Sequence, residues 1–419
     1  MLDWANRFSI CCFMDSHHYK DALHEYDCLL AAGAREVFSP SDNILPALQK
    51  FTCEKKQWLF GHVNYELKNE TERVVSAKPV RTAFPPVFFF IPEIIIRINE
   101  SRIVITSLSG RDPKNIFDEI NNIITAKQIS VSSRLAIKPS HSQEEYTGVI
   151  RKLKAHIQRG DCYEINFCME FYADDAVIDP AAVYKKLSNI SPAPFSCFYK
   201  LYDKYLLCTS PERYIKKKGT KIISQPVKGT IRRDLADMQN DRLLKNKLYE
   251  SPKDRSENVM VADLVRNDLS RICKEGTVHT DELYGVYSFA QVHQMITTIS
   301  GTADVKINFA DVLKATFPMG SMTGAPKKRV VELIDLYERT GRGIFSGAVG
   351  YISPDNDFDF NVVIRSIMYN ETKQALSFFA GGGITFYSEP ENEYEECLLK
   401  AKAMIQALGI EDSFAAPKN

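Results

Sequence analysis

The chain is 419 residues long, 44% hydrophobic and 25% charged, the make-up of a globular protein with ample material for a core. Lys plus Arg equals Asp plus Glu at 53 each, a balance that argues against a nucleic-acid or membrane-surface role and suits a small-molecule site. The ten cysteines form no CxxC pair and no metal-ligand spacing, so reduced thiols in a cytoplasmic protein are expected.

Residues 1–12 lack the basic and apolar regions of a signal peptide. The most apolar run, 87–98, is interrupted by Pro92, Glu93 and Arg97 and is too short to span a bilayer. Residues 1–142 read as an N-terminal α/β region contributing to a composite fold. Within it, residues 15–32 space their apolar side chains as a helix does, and β-branched runs at 93–98 and 102–108 read as a hairpin. A polar, weakly patterned stretch at 130–142 marks a boundary, and 143–410 reads as the catalytic region.

From residue 143 the spacing predicts a helix over 144–159 closed by Gly160, then a strand over 163–172. Short strands follow at 199–209, 214–217 and 221–224. A helix over 256–272 takes Ser256 as its N-cap, and another covers 326–339. Strands at 347–353, 359–370 and 375–380 precede a long amphipathic helix over 391–408. Strand pairs alternating with helices point to α+β layers rather than a βαβ series.

Four stretches carry possible chemistry. In Ser224-Gln-Pro-Val-Lys-Gly-Thr230 a lysine sits between an apolar strand end and a glycine. Lysine is a nucleophile only when neutral, so Lys228 needs burial or a cationic neighbour to lose its proton; a solvated strand-end lysine is the plain alternative. In Ser210-Pro-Glu212 a carboxylate follows a strand and would serve as a general acid under an apolar wall. Glu393, Glu396 and Lys400 are spaced i, i+3 and i+7 on one helix face, and Glu257 opens a second helix. Carboxylates converging from two helices would suit Mg²⁺, although solvated Glu–Lys faces look the same in sequence. The glycine-rich turns at 317–327 and 380–384 let backbone N–H groups approach an anion, and neither is a Walker loop or a dinucleotide fingerprint.

Taken in order, these motifs resemble the chorismate-utilising enzymes over residues 143–408. The matching stretches are Gly160-Asp-Cys-Tyr-Glu-Ile-Asn166, Ser210-Pro-Glu212, Pro226-Val-Lys-Gly-Thr230, Glu257-Asn-Val-Met260, Asp263-Leu-Val-Arg-Asn-Asp268, Gly320-Ser-Met-Thr-Gly-Ala-Pro-Lys327, Ser346-Gly-Ala-Val-Gly-Tyr351, Ile364-Arg365, Gly381-Gly-Gly-Ile384 and Glu393-Tyr-Glu-Glu396. Lys228 and Ser321-Met-Thr323 resemble the aminodeoxychorismate synthase component I branch, where anthranilate synthases carry Ala and Thr-Leu-Ser.

The resemblance implies two large antiparallel sheets packed face to face with helices outside. It also implies conversion of chorismate and ammonia to 4-amino-4-deoxychorismate, for para-aminobenzoate and folate biosynthesis. In that branch a lysine attacks C2 of chorismate as the C4 hydroxyl leaves, and ammonia at C4 then displaces it. Carried over, Lys228 is the nucleophile and Glu212 the general acid. Glu257, Glu396 and Glu393 would hold Mg²⁺. Arg365 and Tyr351 would grip the enolpyruvyl carboxylate. Backbone donors around Thr323, Gly324, Gly382 and Gly383 would cradle a carboxylate, and Lys400 would balance charge. No glutamine-hydrolysing Cys turn is present, so a separate glutaminase subunit is implied as the ammonia source. The sequence departs from the family at Gln294, where many relatives carry His, and at Cys397, where Thr is usual. An anthranilate, isochorismate or salicylate synthase is the alternative within the family, and a silent chorismate-binding subunit the alternative outside catalysis.

Overall fold

The computed structural model describes residues 1–19, 23–76, 78–100, 102–123 and 135–410. Two antiparallel sheets organise it. The first runs, strand beside strand, Gly324–Ala325, Glu164–Ala173, Ala375–Ile384, Ser366–Asn370, Lys204–Ser210, Phe195–Leu201, Ile10–Asp15, Cys28–Ala32, Ile94–Asn99 and Arg102–Ser107. The second runs Val227–Arg232, Val292–Thr302, Lys221–Gln225, Arg213–Lys218, Phe358–Val362, Ala348–Ile352, Leu59–Val63, Val87–Ile91 and Glu36–Phe38. Strands from residues 1–142 continue both sheets, so the N-terminal region shares one sandwich with the rest.

The sheets face each other. The His62 ring meets the Tyr199 hydroxyl at 3.1 Å from the opposite sheet, and the Asn361 amide donates across to the Phe195 carbonyl at 3.0 Å. One apolar cluster reaches into the space between them, drawing Cys12, Leu29 and Leu206 from the first sheet and Phe60, Val349 and Tyr351 from the second. Another cluster lies behind the first sheet, where Cys11, Leu30 and Phe167 meet Leu153, Leu187, Cys397 and Ile405 of helices Gln143–Gln158, Pro180–Ile190 and Pro390–Ala407.

This two-sided burial explains where the sequence misleads. The described residues of 15–32 do not form a helix, and 20–22 lie outside the described residues: Ile10–Asp15 and Cys28–Ala32 are adjacent antiparallel strands. Leu29 and Ala31 face one core while Leu30 and Ala32 face the other, so no alternation marks the strand. The predicted strand at 199–209 is a hairpin, with Leu201 opposite Lys204. The predicted strand over 359–370 breaks at 363–365, where the chain passes from the second sheet to the first. The hairpin of Ile94–Asn99 and Arg102–Ser107 forms as expected. So does the Gln143–Gln158 helix, capped by Ser142 and Glu145 in a reciprocal box and followed by Gly160 at φ +83°.

Candidate active site

Two chain crossings between the sheets set the first side chains. Glu212 lies just beyond Lys204–Ser210, where the chain leaves the first sheet to begin Arg213–Lys218 in the second. Arg365 lies on the return crossing, at φ +52°. The crossings are tied together: Val362 N–H donates to the Glu212 carbonyl at 3.0 Å, and the Arg365 carbonyl accepts from Thr209 N at 3.2 Å and Thr209 Oγ1 at 3.1 Å.

Lys228 comes from the edge strand Val227–Arg232, whose register against Val292–Thr302 shifts between Val227 and Thr230. Gly229 sits in that irregularity at φ +89°, a conformation glycine adopts without strain. The shift turns Lys228 inward, 11% exposed, onto Glu164 Oε1 at 2.5 Å. Glu164 itself is 2% exposed and opens the Glu164–Ala173 strand. Burial opposes the lysine's charge, but Glu164, Glu257 and Glu212 outweigh it and hold the ammonium above the ordinary lysine range. The expectation of a lysine neutralised by its surroundings is therefore corrected: in the resting site carboxylates, not cations, surround Lys228.

Glu212 is 4% exposed. Burial pushes its carboxyl up to about 7, against the opposing pull of the Ser321 hydroxyl and the Lys228 ammonium. A cavity beside it is lined by Ser224, Pro226, Asp268, Gly320 and Ser321. Glu257 projects from helix Pro252–Ser270, and burial pushes it up to about 7 although Lys228 pulls it down.

Glu393 and Glu396 come from helix Pro390–Ala407. A Cβ placed on Gly382 would lie 3.3 Å from Glu393 Oε2, 3.5 Å from Lys400 Nζ and 3.7 Å from Glu396 Oε1. Burial raises Glu393, while Lys400, 2.7 Å away, lowers Glu396. Lys400 also donates to the Gly381 carbonyl at 2.8 Å. Lys253, one turn before Glu257, acts electrostatically on Glu257, Glu393 and Glu396 alike, which ties the three predicted metal ligands to one region. Arg365 shares this neighbourhood through Glu396, and burial lowers its pKa. No side chain among the described residues bonds its guanidinium.

Gly383 makes the centre possible. A Cβ there would stand 2.4 Å from Glu164 Oε1 and 2.6 Å from Lys228 Nζ. Beyond Phe378 the Ala375–Ile384 strand pairs only with Glu164–Ala173 among the described residues, leaving its other edge open at Gly381–Gly383.

Three predicted residues take other places. Thr323 is spent within the fold: its N–H donates to the Gly320 carbonyl, its hydroxyl to the Met319 carbonyl at 3.0 Å, and its own carbonyl accepts from Asn166 at 2.7 Å. Gly324 pairs with Ile165, where a Cβ would be 2.0 Å from the Glu164 carbonyl, so it shapes the wall that carries Glu164. Tyr351 does not join Arg365. It packs against Tyr26, Trp58 and Phe60 and lines a separate cavity between the sheets, with Asp359 and Glu25. Its strand position opposite Phe60 turns the ring there.

Glu164 and Lys253 are the residues that sequence reasoning missed. Glu164 stands inside the quoted stretch 160–166, in a strand that also carries Asn166 and Glu170, so its carboxylate alone gave no signal that set it apart.

The donors fit Mg²⁺. They are hard carboxylate oxygens, and Glu257 Oε1 is buried without a hydrogen-bond partner among the described residues. Among the described residues no three acidic, His or Cys side chains close into a cage. Mg²⁺ commonly takes one or two protein carboxylates and completes its shell with water and substrate.

Comparison with known proteins agrees with this geometry. Residues 14–406 match the family of chorismate binding enzymes. The chain is 34% identical to aminodeoxychorismate synthase component 1 of Klebsiella aerogenes over 352 residues, covering 84% of this chain and 76% of that protein. It is 36% identical to the chloroplastic aminodeoxychorismate synthase of Arabidopsis thaliana over 314 residues, 74% of this chain but 33% of that protein, so it spans about a third of that relative's length. It is also similar to anthranilate synthase component 1 of Saccharolobus solfataricus, 31% identical over 85% of this chain and 81% of that protein. In structure it resembles anthranilate synthase component I of Streptococcus pneumoniae, with a TM-score of 0.79 at 24% identity over 92% of this chain and 94% of that one. With the family's motifs converging around a buried lysine and its carboxylates, the chain belongs to the chorismate-binding enzymes.

Proposed function

We propose that the chain is an aminodeoxychorismate synthase component I, converting chorismate and ammonia to 4-amino-4-deoxychorismate through a covalent bond to Lys228. One observation carries the reading: a buried amine, paired with Glu164, lies in the electrostatic reach of Glu212, a second buried carboxyl whose pKa of about 7 suits proton donation. The relatives named for the same activity support it.

In this mechanism the Lys228 amine attacks C2 of the ring, the double bond shifts, and the C4 hydroxyl departs with a proton from Glu212. Ammonia then attacks C4, the bond from Lys228 to C2 breaks, and Glu212 takes back a proton. Arg365, whose guanidinium no side chain among the described residues bonds, binds a substrate carboxylate by its fork. Open-edge backbone at Gly383 adds a donor. Glu257, Glu396 and Glu393 would hold Mg²⁺, which when bound supplies positive charge for a ring carboxylate, and Lys400 keeps Glu396 ionised. A separate glutaminase subunit supplies the ammonia, with free ammonium as its substitute. No helix among the described residues is long and apolar enough to cross a membrane.

The test is product identification with chorismate, Mg²⁺ and ammonium, with and without an added aminodeoxychorismate lyase. 4-Aminobenzoate appearing only with the lyase supports the reading; anthranilate or salicylate overturns it. Lys228→Ala should abolish normal turnover, and a variant still making aminodeoxychorismate at the normal rate would exclude covalent catalysis.

A further inference from the structure

A nucleophilic lysine must first surrender a proton, and the site holds Lys228 charged. Glu212, acting as the acid for the departing hydroxyl, has to be protonated at that same moment. Glu257 acts on the amine through space. Of the three carboxylates around Lys228, only Glu164 bonds the ammonium directly among the described residues.

The details of that contact are those of a reactive pair. Gly383 clears the space where the two groups meet. Gly324 lets the next strand approach the Glu164 carbonyl and fixes the backbone from which the carboxylate projects. Glu164 Oε1 holds the ammonium, while Oε2 is buried with no hydrogen-bond partner among the described residues. A buried ion pair kept for stability alone satisfies its remaining lone pairs; this one leaves an oxygen open.

We propose that Glu164 is the proton acceptor for Lys228: its carboxylate takes a proton from the ammonium, freeing the amine for attack, and returns it when the amine leaves. The inference rests on the covalent reading above. The proton balance closes. Transfer gives a neutral amine and a carboxylic acid. Attack on C2 makes a secondary ammonium while Glu212 releases its proton to the hydroxyl, which leaves as water. Ammonia bonding at C4 expels the amine, its surplus proton passes to Glu212, and Glu164 then reprotonates Lys228. Glutamine at 164 would still accept a hydrogen bond from the ammonium but is a far poorer base, so it separates proton transfer from mere positioning.

The experiment measures adduct formation at Lys228 by quenched intact-mass spectrometry, with full-length protein, chorismate and Mg²⁺ and no ammonia, alongside chorismate affinity. In Glu164→Gln the rate should fall by roughly 10²–10⁴-fold with affinity within about threefold of wild type. Glu164→Asp should restore at least about a tenth of the lost log-rate span and run faster than Glu164→Gln. A fall of less than about tenfold in Glu164→Gln, or Glu164→Asp no faster than Glu164→Gln, overturns the proposal. Should Glu164→Gln fail to fold, Glu164→Asp at a wild-type rate with a Glu164→Ala variant equally fast overturns it too. Failure of the covalent reading looks different: the wild-type protein itself would form no adduct, yet would still make product once ammonium is added.

Discussion

Glu212 shows how a single side chain joins stability to chemistry. Its folded pKa of about 7 stands above the usual 4.5 because burial disfavours the carboxylate. Its neutral form is therefore accommodated below pH 4.5, and as pH rises through 7 the folded protein loses stability by being forced to ionise a buried group. Glu212→Gln carries no such charge. Relative to wild type it should gain stability between pH 5 and pH 8, by up to about 3 kcal/mol, while turnover falls by roughly 10²-fold or more. Denaturant titrations at the two pH values check this, and a stability difference independent of pH would refute it. Glu212, Lys228 and the glutamates of the two helices were legible because motif order marked them. Glu164 was not, because a carboxylate in a strand declares nothing until its neighbours are known. Tyr351 was misassigned for the converse reason: the motif that carries it is present, but its strand turns the ring toward Tyr26 and Trp58.

Among the elements, the helix Pro252–Ser270 positions Glu257 and Lys253 on the site. The predicted start at Ser256 is displaced by more than a turn: Ser251 is the N-cap, its hydroxyl accepting from Asp254 N–H at 3.3 Å with Pro252 at the first position. Ser256 instead returns its hydroxyl to the Pro252 carbonyl at 2.8 Å inside the helix. Ser251→Ala should therefore cost about 1 kcal/mol in thermal or denaturant unfolding, and Ser256→Ala much less. Equal losses would contradict this cap. The predicted helices over 144–159, 326–339 and 391–408 were read closely, since one buried stripe per helix leaves a 3.6-residue period, whereas Pro180–Ile190 and Met238–Glu250 went unread. Strands were read less well, since in the first sheet both faces are covered and the two-residue period disappears.

At the level of the whole molecule, the boundary near residue 142 divides the sequence but not the sandwich. Ile10–Asp15 lies between Phe195–Leu201 and Cys28–Ala32, and Leu59–Val63 lies against Ala348–Ile352. A fragment of residues 143–410 would expose the edges of Phe195–Leu201 and Ala348–Ile352 together with the apolar faces behind them. It should aggregate or remain unfolded, and a monomeric fragment with native circular dichroism and a cooperative melt would refute this. The crossings at Glu212 and Arg365 have a kinetic consequence. Acid, amine and guanidinium reach one another only when distant segments have met and both sheets have closed, contacts that carry a high entropic cost and form slowly. Turnover is thus a late reporter of refolding: helical ellipticity returns while the enzyme is still inert, and catalysis is the signal that the last long-range pairing is complete.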